Sequence, residues 1–310
     1  HIAKKYLDLG FEVYLIDNLS RGKIDFDLKN FLKNKKVNFK NIDFTSKKIK
    51  IKKNFDLVFH CAAIVGVKHV NSKPYDVLIK NIKMLENVIN FSKKQKKLER
   101  LVFFSTSEVY AETLKKKLIR FPTPEESLIL VDQKFNSRST YMLSKIYGEY
   151  MCNFSNLPVT IVRPHNFYGP RMGLSHVIPE LIKKILFGKK FKIISYNHKR
   201  TFYFIDDAIE DIFQLMQSRR SLGKIYNIGS SKEITIFNLA KLINKQFDKK
   251  VVLIRSPDVH SSPTRRQPKV SKIKVITKYY PKNSIEIGLK KTISWYLKNY
   301  FNNRKNTKII

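Results

Sequence analysis

Short apolar runs alternate along this chain with longer stretches of helical periodicity. Phe11 to Ile16 alternates in polarity and is rich in residues that favour strands, ending at Asp17-Asn18, and Val37 to Phe44 reads as a further strand. Phe55 to Ala63 is a nearly continuous apolar run, as expected of a parallel strand buried on both faces. Leu101 to Phe104 and Val159 to Arg163 are similar. Between them lie helical patterns. His1 to Gly10 reads as the back half of an amphipathic helix closed by a glycine. Pro74 to Lys97 turns Val77, Asn81, Leu85, Val88 and Ile89 inward, and Ile285 to Tyr300 closes the chain as a helix carrying Trp295 and Leu297. This alternation predicts an α/β fold, a parallel sheet with helices on both faces.

One polar residue breaks the pattern. Asn81 sits on the apolar face of its helix, which is unfavourable unless its amide is hydrogen-bonded. His60, inside a buried run, reads as a core histidine rather than a catalyst.

Composition changes the picture little. The 310 residues suit one or two domains, and 43% hydrophobic content is ample for a core. The two cysteines, Cys61 and Cys152, lie in apolar segments, which fits thiols in a reducing cytoplasm rather than a disulfide framework. No apolar run reaches the length of a membrane span, so no membrane partner is expected. The formal charge of +36 invites a nucleic-acid reading. However, the lysines are spread along the whole chain, among abundant Asn, Ile, Phe and Tyr, as strong A+T codon bias would produce. No specific nucleic-acid partner is expected; the positive field would instead attract a diphosphate. Asn302 to Asn306 reads as a frayed tail. There is no internal repeat, metal-ligand cluster or Ser-His-Asp arrangement.

The candidate chemistry lies in Thr140-Tyr141-Met142-Leu143-Ser144-Lys145-Ile146-Tyr147-Gly148-Glu149, read with Ser105-Thr106-Ser107-Glu108-Val109-Tyr110 upstream. Of 15 tyrosines, only Tyr141 has a lysine four residues on. On a helix these two share a face. A fixed ammonium near a phenol favours the phenolate, giving a base that works near neutral pH. Thr106, at the end of the neighbouring strand, would complete a proton relay. The spacing alone also fits a surface helix with its lysine in solvent; the strand ending in hydroxyl and acidic residues favours the catalytic reading.

Those two motifs, with Arg163-Pro164-His165-Asn166-Phe167-Tyr168-Gly169-Pro170-Arg171, resemble the extended short-chain dehydrogenases/reductases that epimerise, dehydrate or decarboxylate nucleotide sugars. The resemblance covers essentially the whole chain. It implies a Rossmann-type doubly wound parallel sheet with a smaller carboxy-terminal substrate lobe. Residues 1–170 would bind NAD, with 199–230 returning to that domain, and 171–198 with 231–310 would form the nucleotide-sugar lobe. Family members begin with a strand and a glycine-rich turn that cradles the cofactor pyrophosphate. Neither precedes the first helix here, so an amino-terminally truncated sequence is expected.

The resemblance also implies roles residue by residue. Asp17, with Asn18, would take the adenosine ribose hydroxyls and select NAD, although Asp-Asn also starts turns, and Arg21 nearby suits a 2′-phosphate. Asp43 and Phe44 would contact adenine. Ala62 and Ala63 would pass under the cofactor, with Ile64 to His69 facing the sugar. Asn81 would hold backbone beside the site, and Ser105, Tyr141, Lys145 and Pro164 would complete the cofactor contacts. Thr106, Glu108, Tyr141 and Lys145 would be catalytic. Asn166 would donate to the sugar or diphosphate. His176 and Val177 would open a helix along the nucleotide, and Lys192 would lie on a short strand against the base. Arg200 and Arg265 would meet the diphosphate, Arg265 as part of an Arg265-Arg266-Gln267-Pro268 clamp. The long insert Ala111 to Ser139 reads as a loop over the site mouth.

The implied reaction is transient oxidation at the sugar 4-hydroxyl, giving an epimerase, with a homodimer built on the two long helices. Glu108 complicates this: related dehydratases and decarboxylases carry an acid there, so dehydration or decarboxylation is the alternative. The Gly-Lys-Arg that follows Tyr-x-x-x-Lys in those decarboxylases is absent.

Overall fold

The computed structural model describes residues 1–46, 51–257 and 263–301. In chain order the first elements are α1 (Ile2–Asp8), β1 (Val13–Asp17), α2 (Phe26–Phe31), β2 (Val37–Asn41), β3 (Leu57–His60), α3 (Val67–Ser72), α4 (Pro74–Ser92) and β4 (Arg100–Phe104). Next come α5 (Ala111–Lys115), α6 (Ser137–Asn153), β5 (Val159–Pro164), β6 (Phe167–Tyr168), α7 (Val177–Phe187), β7 (Lys190–Ile194), β8 (Lys199–Thr201) and β9 (Tyr203–Phe204). The rest is α8 (Ile205–Gln217), β10 (Lys224–Ile228), β11 (Glu233–Thr235), α9 (Ile236–Lys245), β12 (Val252–Ser256), β13 (Arg265–Arg266), α10 (Ser271–Thr277) and α11 (Ile285–Asn299).

Local chemistry explains many boundaries. Gly10 follows α1 at φ +90°, a conformation glycine adopts without a Cβ penalty. Asp25 caps α2 by accepting from Leu28 N at 2.8 Å, and Asn136 caps α6 by accepting from Arg138 N at 2.9 Å. Pro74 occupies the first turn of α4, where its missing N–H is no loss. The insert after β4 is not loop throughout. Ser107–Tyr110 forms a 3₁₀ turn and Ala111–Lys115 a helix, its first-turn Glu112 paired with Lys115 at 3.5 Å. Beyond it, Thr113 Oγ1 donates to Leu128 O at 2.8 Å and anchors the returning chain.

The chain forms two compact units. The first comprises His1–Ser105, Gln133–Val162 and Arg219–Lys224. Its strands β3, β4 and β5 run parallel, Leu57 opposite Arg100 and Leu101 opposite Val159, within a sheet of order β10-β5-β4-β3. Strands β1 and β2 pair in parallel as a separate sheet, Val13 opposite Val37. Among the described residues no strand bridges β1 to β3, so the parallel strands lie in two sheets rather than one. Helix α4 packs against α6, burying Val77, Leu85, Val88 and Ile89 as its periodicity predicts. Gly148 makes this approach possible: a Cβ there would stand 2.6 Å from Phe103 Cζ and 2.9 Å from Leu85 Cδ2.

The second unit comprises Thr106–Asp132, Arg163–Ser218 and Ile225–Ile310. Its core gathers α7, α9 and α11 around Ile182, Ile243, Phe247, Ile293 and Tyr296. Three small sheets accompany it: β11-β8-β13, β12-β7 and β6-β9. Asp207, buried in the first turn of α8, accepts from Tyr279 Oη at 2.6 Å, Lys282 N at 2.8 Å, and Asn283 N and Nδ2 at 3.2 and 3.1 Å. One carboxylate thereby fastens the segment leading into α11. Asn302 to Asn306 lies outside the described residues.

Two stability measurements follow from this packing. Gly148→Ala should lower the urea-unfolding midpoint, because overpacking against Phe103 and Leu85 costs about 1–3 kcal/mol and outweighs alanine's helix preference of about 1 kcal/mol. Asp207→Ala leaves four partly buried donors without their shared acceptor and should cost about 1–3 kcal/mol in the same assay.

Candidate active site

In the first unit the site is built on the end of β4 and the buried face of α6. Lys145 is almost wholly buried; its Nζ donates to Phe104 O at 2.6 Å and lies 4.8 Å from the centroid of the Phe103 ring. Burial brings its pKa down to about 8, opposed by coulombic interaction with Cys61, Cys152 and Glu149. Tyr141, one turn earlier on the same face, is half-buried. Ser105 donates its backbone N–H to Val162 O at 2.8 Å and its hydroxyl to Glu149 Oε1 at 2.5 Å. Its side chain is thus committed to α6.

Asn81 resolves the cost of its buried position. Its Oδ1 accepts from Ile64 N at 2.7 Å, while Nδ2 donates to Ile64 O at 3.1 Å and Ser144 Oγ at 3.2 Å. It holds the backbone after β3 as expected. Ala62 is exposed and Ala63 half-buried in that segment. His60 is buried against Phe103, and burial holds its pKa down at about 3, a neutral core ring.

At the end of β1, Asp17 Oδ1 accepts from Leu19 N at 2.6 Å and Asn18 Oδ1 from Ser20 N at 3.0 Å. Both make the turn that was the alternative to ribose binding, while leaving the Asp17 carboxylate exposed. Arg21 Nη1 donates to Val65 O at 3.4 Å. Asp43 caps a turn through Thr45 N at 2.8 Å, and the Phe44 ring meets Phe91 edge-on at 6.4 Å.

In the second unit, Thr106 Oγ1 caps the 3₁₀ turn by accepting from Glu108 N at 3.2 Å. Glu108 is held bidentate by Arg266, whose Nη1 meets Oε1 and whose Nη2 meets Oε2 at 3.1 Å. Behind this pair lies a buried polar network. Tyr110 Oη donates to Asn227 Oδ1 at 3.0 Å and accepts from Arg163 Nη1 at 2.6 Å. Asn227 N donates to Glu125 Oε1 at 2.9 Å, and His165 Nε2 lies 3.1 Å from Asn227 Oδ1. Burial pushes the Tyr110 phenol up to about 12 and the His165 ring down to about 3, so both stay neutral.

The expected substrate residues are distributed over the second unit. Asn166, at φ +45°, donates Nδ2 to Thr201 O at 3.0 Å. His176 is the exposed N-cap of α7, Val177 packs against the core, and Lys192 is exposed on β7. Pro164 ends β5, half-buried. Arg200 Nη2 donates to Pro263 O at 2.6 Å. Arg265 forks onto Glu233 with two contacts of 2.7 Å and lies over the Phe121 ring at 4.5 Å. Both arginines of the expected clamp therefore carry protein partners. Sequence reasoning did not single out the pairing of Arg266 with Glu108 or the burial of Glu149 on Ser105. Alternation along β13 puts Arg265 and Arg266 on opposite faces, but nothing in the sequence says which one meets Glu108.

Chemically, α6 offers a phenol with a buried amine one turn away, and the second unit offers a carboxylate already paired with a guanidinium. Similar proteins carry the comparison further. Over 309 residues the chain is 29% identical to the UDP-N-acetyl-alpha-D-glucosaminuronate decarboxylase of Bacillus cytotoxicus, covering 96% of this chain and 93% of that protein. It is 26% identical over 278 residues to the uncharacterized UDP-glucose epimerase YtcB of Bacillus subtilis, covering 87% and 83%. Its fold matches that of the epimerase Mth375 of Methanothermobacter thermautotrophicus with a TM-score of 0.84 at 22% identity, covering 98% and 90%. A model of the NAD dependent epimerase/dehydratase family matches residues 1–229, and the chain belongs to that family.

Proposed function

We propose that the chain is an NAD-dependent nucleotide-sugar epimerase acting through a transient 4-keto sugar. The observation that carries this reading is the placement of Tyr141 and the buried Lys145 on one face of α6, with the Lys145 ammonium at the end of β4. Tyr141 takes the proton of the sugar 4-hydroxyl, directly or through Thr106, and Lys145 favours its phenolate. Inversion would be complete once the sugar has turned over, hydride has come back to the opposite face of the keto carbon and Tyr141 has returned the proton to its oxygen.

The residues present fit the dinucleotide. Asp17 offers an exposed carboxylate suited to ribose hydroxyls, and the small Ala62 and Ala63 precede backbone fixed by Asn81. With Asn18, Asp43, Phe44, Ser105, Tyr141, Lys145 and Pro164 these would hold NAD, which supplies the hydride acceptor and donor when bound. Asn166, His176, Val177, Lys192, Arg200 and Arg265 would hold a nucleoside diphosphate. The exposed fork of Arg265 would trade the Glu233 carboxylate for phosphate oxygens.

One observation favours decarboxylation as a second reading. Arg266 beside Glu108 suits a substrate carboxylate, and the Bacillus cytotoxicus relative is a decarboxylase by name. The same ion pair disfavours dehydration, because a carboxylate held by a guanidinium is a weaker base.

A homodimer on α4 and α6 belongs to this proposal. These helices leave Tyr75, Ile79, Tyr147 and Tyr150 exposed, as is Phe154 at the end of α6, at 73%. Tyr147, Tyr150 and Phe154 follow helical spacing along one stripe, an apolar face suited to a second copy. Among the described residues no helix is long and apolar enough to cross a membrane, and the two free thiols fit the cytoplasm.

Incubation with a panel of nucleotide hexoses and hexuronates should give products of unchanged mass with one inverted ring carbon. Loss of carbon dioxide from hexuronates alone would establish the second reading instead. Tyr141→Phe should reduce turnover by about 10²–10⁴-fold while nucleotide-sugar binding persists; equal rates in parent and variant would sink the role given to α6. Light scattering should show a dimer in the parent and a monomer in Tyr150→Lys/Phe154→Asp.

A further inference from the structure

Glu149 stands one turn beyond Lys145, so Tyr141, Lys145 and Glu149 follow one another along a single face of α6. It is only 6% exposed. Burying a carboxylate is unfavourable without compensation, and an apolar residue would fill a helix interior better. The compensation on the page is specific: Ser105 Oγ donates to Glu149 Oε1 at 2.5 Å, from the strand end whose preceding carbonyl, Phe104 O, holds the Lys145 ammonium. Carboxylate and ammonium are therefore fixed by consecutive residues, Ser105 and Phe104, at the end of β4.

The groups around that ammonium come from three elements. From the end of β3 come His60 and Cys61, from β4 the Phe103 ring and the Phe104 carbonyl, and from α6 Tyr141, Glu149 and Cys152. His60 is neutral. Cys152 is buried, and Cys61 is solvent-accessible but ringed by protein; both thiols are pushed up to about 12. Glu149 is thus the one carboxylate of this set. It opposes the burial that pulls the proton from Lys145.

We propose that Glu149, oriented by Ser105 Oγ, is a positioning residue that keeps Lys145 an ammonium at neutral pH and so sets the pH range in which Tyr141 works as a base. This rests on the Tyr141–Lys145 reading above. An ammonium that loses its proton no longer favours the phenolate, so removing the carboxylate should narrow the working range from both sides. The base ionises at higher pH, and the lysine discharges at lower pH. A unit charge about one helical turn away, at an effective dielectric near that of a protein surface, moves a titration by about one to two pH units.

The readout is the ultraviolet phenolate titration of Tyr141, taken as the difference between each protein and its Tyr141→Phe counterpart, together with the pH profile of nucleotide-sugar turnover. Glu149→Gln should lower the alkaline limb of the profile, where Lys145 discharges, by about one to two pH units and raise the Tyr141 midpoint by less, since the lost carboxylate two turns away itself opposed the phenolate. Ser105→Ala, which keeps the charge but frees its orientation, should shift both in the same directions by less, and Glu149→Asp should restore most of the parent behaviour. A folded Glu149→Gln with an unmoved midpoint overturns the proposal. Should Glu149→Gln fail to fold, an unmoved midpoint in Ser105→Ala overturns it. A parent whose Tyr141 titrates like a free phenol overturns the reading of Tyr141 as the base instead.

Discussion

A buried ammonium is the constraint on which the first unit turns. Lys145 can leave water only where an acceptor waits for it, and the acceptor is the carbonyl of Phe104, the last residue of β4. Helix α6 must then lie close to that strand end, closer than any side chain at position 148 allows. Asn81 holds the neighbouring backbone and reaches Ser144, the residue beside Lys145 in the chain. Packing, backbone placement and the chemistry of the tyrosine–lysine face are consequences of one requirement.

The second unit solves a different problem, since several of its polar groups are buried around one asparagine. Asn227 contributes its backbone N–H, its amide oxygen and its amide nitrogen to Glu125, to Tyr110 and to Thr123 O. Arg163 completes the set by donating to Tyr110 Oη and Glu125 O. A buried hydrogen-bonded network of this kind rigidifies what it supports. Here it underlies the 3₁₀ turn that carries Glu108.

Legibility in the sequence followed element length and the range of the interactions. Strands β3, β4 and β5 declared themselves through apolar runs, and α4 through a period that placed Val77, Leu85 and Val88 inward. Asn81 was legible because a buried amide demands a partner. The two- and three-residue strands β6, β8, β9 and β13 were not, because so short a segment becomes a strand only through a partner distant in the chain. Helix α9 escaped notice although its Thr235 cap and the spacing of Leu239, Ala240 and Ile243 were present. Charged residues were the hardest to read. Residue type gave Arg265 and Glu108 their expected chemistry, but Glu233 and Arg266 engage them across 32 and 158 residues of chain, separations that no local pattern encodes.

The Asp207 fastening bears on the order in which the polypeptide acquires its shape. Its partners lie 72 to 76 residues later. During synthesis, α8 therefore leaves the ribosome with its anchoring carboxylate still hydrated, and it stays so until the segment before α11 arrives. Closing so long a loop carries an entropic toll that local helices avoid, which makes docking of α11 late relative to the folding of α8. Until then the face that α11 will cover stays open to water.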